Sequence, residues 1–91
     1  MTQHRTSVAT KATKKYEQQL AANIRTARDK LGISRNELVK LIKKRGVITT
    51  PRTIQSWEEA ARTPSVGVLS VVAAALGVAL PRLLPKESAA R

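Results

Sequence analysis

Arg52, Thr53, Gln55 and Ser56 stand close together in the chain, and all four are of types that bond the edges of bases. An arginine can bond guanine in bidentate fashion and a glutamine can do the same with adenine. Threonine and serine discriminate less, but their small side chains allow close approach. Thr50-Pro51 precedes them as a helix start, with a threonine to cap the first amides and a proline where a missing N–H costs nothing. Ile54, Trp57, Glu58 and Ala61 then share one face of that helix, while Arg52, Gln55, Ser56 and Glu59 lie largely on the other. Trp57 could in principle stack on an unpaired base, but beside Ile54 at helical spacing it reads as core.

Such a helix needs a scaffold, and the flanking sequence supplies one. From Tyr16 the pattern is helical: Leu20, Ile24, Ala27 and Leu31 form one apolar stripe, and Gly32 ends it in a left-handed cap. Ser34-Arg35-Asn36-Glu37 is a capping-box start, with Ile33 and Leu38 at the hydrophobic-staple positions. Leu38, Leu41 and Ile42 continue the buried face, and Lys40, Lys43 and Lys44 face solvent. Gly46 stops this helix and Val47-Ile48-Thr49 turns the chain into the helix that opens at Thr50. Pro64-Ser65 starts a fourth helix with Val68, Leu69, Val72, Ala73 and Leu76 inward, closed by Gly77. A last short helix, around Leu80 to Leu84, is bounded by Pro85. No repeat and no alternating strand pattern is present. The expected fold is all-α: five helices containing a helix-turn-helix.

The length of 91 residues suits one small domain. Three segments are expected: a basic N-terminal arm over residues 1–15, disordered when free; the domain over 16–85; and a flexible tail over 86–91. The arm carries Arg5, Lys11, Lys14 and Lys15, no acid and little apolar surface, too little to offset the entropy of ordering it. It reads either as an arm following DNA phosphates or entering a minor groove, or as a solubilising tail.

With 17 Lys and Arg against six acids, the net charge of +11 draws the chain to polyanions, nucleic acid before anionic membrane. Arg35 and the amides at its helix N-terminus are candidate phosphate contacts, as are Lys43, Lys44, Arg45, Thr50 and Arg62. Without cysteine, disulfides, thiolate zinc sites and thiol catalysis are excluded. The only histidine, His4, lies in the polar N-terminal stretch and reads as solvated. Carboxylates are scattered and the glycines form no phosphate cradle, so neither catalysis nor a metal or other cofactor is expected. No secretory signal is visible, and the run from Val66 to Leu80 falls short of the roughly 18 residues of a membrane span. The expected location is the cytoplasm.

At this point the sequence resembles the Cro/repressor (XRE-like) helix-turn-helix family over roughly residues 18–85. The resemblance is carried by Ile24-Arg25, Arg28, Leu31-Gly32-Ile33-Ser34, Glu37-Leu38, Thr53-Ile54, Trp57-Glu58, Arg62, Pro64-Ser65 and Ala75-Leu76-Gly77-Val78. It implies a bacterial or phage transcriptional regulator of repressor type, with Pro51, Arg52, Thr53 and Ser56 at the base-facing positions. It also implies an ion pair between Arg28 and Glu58 beneath the surface. Such regulators usually bind double-stranded DNA as symmetric dimers. Val78, Leu80, Leu83 and Leu84 either supply that homodimer contact through the C-terminal helix or merely close the core. No small-molecule effector domain is expected. An antitoxin or a phage excision-type factor would share the same DNA chemistry. A basic RNA-binding accessory protein would normally show more base-stacking aromatics than Tyr16 and Trp57, and a membrane-active cationic peptide would not need such well-placed caps.

Two departures from the family pattern stand out. The stretches from Ser34 to Gly46 and from Gly46 to Thr50 are longer than usual, which enlarges the second helix or the turn and adds Lys43, Lys44 and Arg45. Ala60 stands where the family commonly has glycine. Because alanine tolerates a left-handed conformation poorly, a differently shaped loop is expected there.

Overall fold

Local capping decides where the helices begin. Ser34, Thr50 and Ser65 each sit in extended backbone and accept a hydrogen bond from the amide three residues on, satisfying a donor that the first turn leaves free. The computed structural model describes residues 2–85, with side chains from Lys14 onward. Its elements are α1 (Thr2–Leu31), α2 (Arg35–Lys44), α3 (Pro51–Glu58), α4 (Val66–Leu76) and α5 (Leu80–Leu83). No strand occurs among the described residues.

Helix ends follow a second local rule. After α1, α2 and α4 the chain reverses through Gly32, Gly46 and Gly77, all at positive φ. Each time, the following amide bonds a carbonyl five residues back, at 3.3–3.4 Å after α1 and α2 and 3.0 Å after α4, as in a Schellman cap. The end of α3 has the same form without glycine. Ala60 has φ 61, with Ala61 N donating to Ser56 O at 2.9 Å and Ala60 N to Trp57 O at 3.2 Å. The loop therefore keeps the left-handed turn, and the expectation of a different shape is wrong: two cap bonds and the packing of α3 hold alanine where glycine would sit unstrained.

The core gathers Leu20 and Ile24 of α1, Leu38 and Ile42 of α2, Ile54 and Trp57 of α3, Leu69, Val72, Ala73 and Leu76 of α4, and Leu83 of α5. α1 packs on α3, α4 and α5; α2 packs on α3 and α4. Asn23 fastens α5 to α1, its Nδ2 donating to the Leu83 carbonyl at 2.8 Å.

Several expected details are corrected. The helix expected to open at Tyr16 runs from Thr2. No glycine or proline interrupts Thr2–Leu31, and Ala, Lys, Gln and Glu are good helix formers. Thirty residues rising 1.5 Å each give roughly 45 Å, which accounts for the long dimension of 44 Å. Leu31 is 47% exposed, because α1 ends there and Gly32 turns the chain away. Leu41 is only half-buried, at the edge of the α2 stripe, and Ala61 is exposed beyond the end of α3. Leu83 is buried, and Val78, Leu80 and Leu84 pack against the core. Leu83 thus closes the core, while Val78, Leu80 and Leu84 stay partly exposed at its edge. The tail over 86–91 lies outside the described residues.

Candidate nucleic-acid interface

Two helix N-termini, those of α2 and α3, open on one cleft lined by Ser34, Arg35, Asn36, Pro51, Arg52 and Gln55, with Arg28 at its base. Ser34 closes the capping box: its Oγ accepts from Glu37 N at 3.1 Å, and Glu37 Oε1 accepts from Ser34 N at 2.7 Å. Thr50 Oγ1 accepts from Thr53 N at 3.1 Å and donates to Thr53 Oγ1 at 3.1 Å. Both helices thus start rigidly, and their positive ends favour anions in the cleft.

One carboxylate fixes how the helices meet. Arg28 donates through Nε to Glu58 Oε2 at 2.6 Å and through Nη2 to Oε1 at 3.0 Å; its Nη1 donates to the Ile33 carbonyl at 2.9 Å. Sequence reasoning assigns Arg35 to phosphate, yet its Nε and Nη2 lie 3.1 and 3.0 Å from Glu58 Oε1. Glu58 is only 1% exposed as a side chain, so α1, α2 and α3 converge on a buried anion held by two cations. Burial pushes the Glu58 carboxyl up, but the hydrogen bonds from Arg28 and Arg35 outweigh that and leave it below the ordinary carboxylate range. The hydrogen bond to Glu58 raises Arg28 in turn. Both groups are charged near neutrality.

The outward face of α3 is small. Pro51, Arg52 and Gln55 are exposed, Thr53 and Ser56 partly so. Ser56 Oγ donates back to the Arg52 carbonyl at 3.2 Å, and Gln55 Nε2 donates to Glu59 Oε2 at 2.8 Å. Sequence reasoning missed that last bond, although an i,i+4 Gln–Glu pair on an exposed helix face is a visible signal. The Arg52 guanidinium has no hydrogen-bonding or ion-pair partner among the described residues.

The other predicted cations divide by place. Lys43 and Lys44, in the last turn of α2, and Arg45, its C-cap, are exposed, where they also complement the negative end of the helix. Arg62 is exposed in the loop after α3, and Lys14 and Lys15 are exposed on α1. The side chains of Arg5 and Lys11 lie outside the described residues. The enlarged turn from Gly46 to Thr50 leaves Ile48 76% exposed and Thr49 Oγ1 buried without a hydrogen-bond partner. Among the described residues no group of acids and histidines is placed to hold a metal ion. No helix among them is long and apolar enough to cross a membrane.

A family model described as helix-turn-helix matches residues 24–83, a span holding the C-terminal part of α1 and all of α2 to α5. No curated protein and no solved structure gives a match.

Proposed function

The chain belongs to the Cro/repressor-type (XRE-like) helix-turn-helix family of DNA-binding proteins, and on that premise we propose that it is a sequence-specific transcriptional regulator of repressor type, acting on double-stranded DNA in the cytoplasm. α3 enters the major groove, where each base pair offers a distinct pattern of donors and acceptors. Arg52 and Gln55 read bases, with Pro51, Thr53 and Ser56 at close approach. The N-terminus of α2, Thr50, Lys43, Lys44, Arg45 and Arg62 hold phosphates, which set register without reading sequence. Arg35 serves both sides, its guanidinium bonded to Glu58 at the rim of the cleft.

The observation that carries this reading is the partnerless Arg52 guanidinium beside Gln55, on a capped eight-residue helix. An RNA reading by base stacking loses support, since Trp57 is buried and Tyr16 packs partly buried against the core.

In vitro site selection on duplex DNA at near-physiological salt tests the proposal. Enrichment of one motif supports it: a palindrome indicates a dimer and a single half-site a monomer. No enrichment sinks the sequence-specific claim. On the selected site, Arg52→Ala is expected to cost about 1–3 kcal/mol and to relax one base position. An equal loss on every sequence would make Arg52 a phosphate contact.

A further inference from the structure

Glu59 is an acid on the wrong side of a protein that binds a polyanion. Of the acids on α2, α3 and the α3 C-cap, Glu37 is tied into the α2 cap and Glu58 is buried; Glu59, the C-cap of α3, is exposed and bonded to the side chain that faces the cleft. We propose that Glu59 is a positioning residue for base recognition: by accepting one N–H of Gln55, it fixes which way the Gln55 amide faces DNA. This rests on the reading of Gln55 as a base contact.

A glutamine amide can present its oxygen or its NH2 on a given side, and the hydrogen-bond network decides which. A carboxylate only accepts, so the Gln55 oxygen cannot turn toward Glu59 without setting two acceptors against each other. The bond at 2.8 Å therefore locks Nε2 toward Glu59 and leaves the second N–H and the Oε1 for a base. That donor–acceptor pair matches N7 and N6 of adenine. In water an i,i+4 pair of this kind is weak, but displacement of water at a DNA interface strengthens it. The Glu59 charge also repels phosphates, so it lowers affinity for every duplex while the amide it orients favours one.

The test measures affinities of the full chain for the selected site, for its single-base variants and for unrelated duplex. Glu59→Ala is expected to lower discrimination at the base pair read by Gln55 by roughly tenfold and to raise affinity for unrelated duplex. Glu59→Gln, whose amide can accept from Gln55 Nε2 or donate to Gln55 Oε1 instead, no longer forbids the flipped amide, so it loses part of that discrimination while sharing the rise in non-specific affinity. Gln55→Ala removes the discrimination, and adding Glu59→Ala to it removes no more. Uniform loss over all sequences in Glu59→Ala, or a loss that persists undiminished in the Gln55→Ala background, overturns the inference. Full discrimination in Gln55→Ala refutes the base contact itself. Loss in Gln55→Ala with none in Glu59→Ala refutes the positioning role alone.

Discussion

Ala60 shows a single residue held against its own preference. At φ 61 its Cβ crowds the backbone, at a cost of roughly 1–2 kcal/mol for an L-residue in this conformation. Glycine there removes the strain but adds about 0.4–1 kcal/mol of unfolded-chain entropy. Ala60→Gly is therefore expected to stabilise the fold by about 0.5–1 kcal/mol, read as a rise of a few degrees in Tm. Gly77→Ala is the reverse experiment. Gly77 has φ 75, and a Cβ there meets nothing within 4 Å, so any destabilisation reports backbone strain alone. A neutral Ala60→Gly beside a costly Gly77→Ala would mean that the α3 loop relaxes in solution while the α4 cap does not.

At the scale of elements, the Glu58 cluster decides how α3 is presented. The sign of its pH dependence follows from its depressed carboxyl. A group with a lowered folded pKa contributes stability above its unfolded value, about 4.3 for glutamate, and loses it as pH falls through the folded value. Acid titration of unfolding free energy should show a plateau near neutrality and a decline below about pH 4.3. Glu58→Ala is expected to cost about 3–5 kcal/mol near neutrality, as for a buried pair broken on one side, and to flatten that decline. An unchanged acid slope would move the titration to another carboxylate. The cluster also shows where sequence reasoning ends. The caps at Ser34, Thr50 and Ser65 were legible because each depends on residues three apart. Periodicity found α1 from Tyr16 but not the turns before it, since residues 2–15 carry too few apolar residues to form a stripe. The Arg28–Glu58 pair was legible only through resemblance. Arg35 joins it from 23 residues away, a contact set by the angle at which α2 meets α3 and not by any local pattern. The unsatisfied Thr49 hydroxyl was hidden for the same reason: burial inside an enlarged turn depends on packing that spacing does not encode.

The whole molecule adds a long, one-signed field to this small reading surface. Arg5, Lys11, Lys14 and Lys15 precede the first acid, Glu17, on the part of α1 before Leu20, the first buried residue among the described side chains. If this segment follows phosphates, each contact releases condensed counterions and adds about 0.9 to the slope of log affinity against log salt. Replacing all four with glutamine lowers the net charge from +11 to +7. It is expected to shrink that slope by up to about 3.6 while leaving the selected motif unchanged. Glutamine keeps good helix propensity, so the change tests charge rather than helix content. Lys30 and Arg82 supply the control, because both line a separate cleft between α1 and α5. Replacing them removes positive charge away from α2 and α3 and should barely move the slope. If the two sets lower it equally per charge, the N-terminal cations act only through the overall field, and residues 1–15 touch no phosphate. If only the N-terminal set lowers it, α1 makes a second, sequence-independent contact with the duplex beside the one that α3 reads.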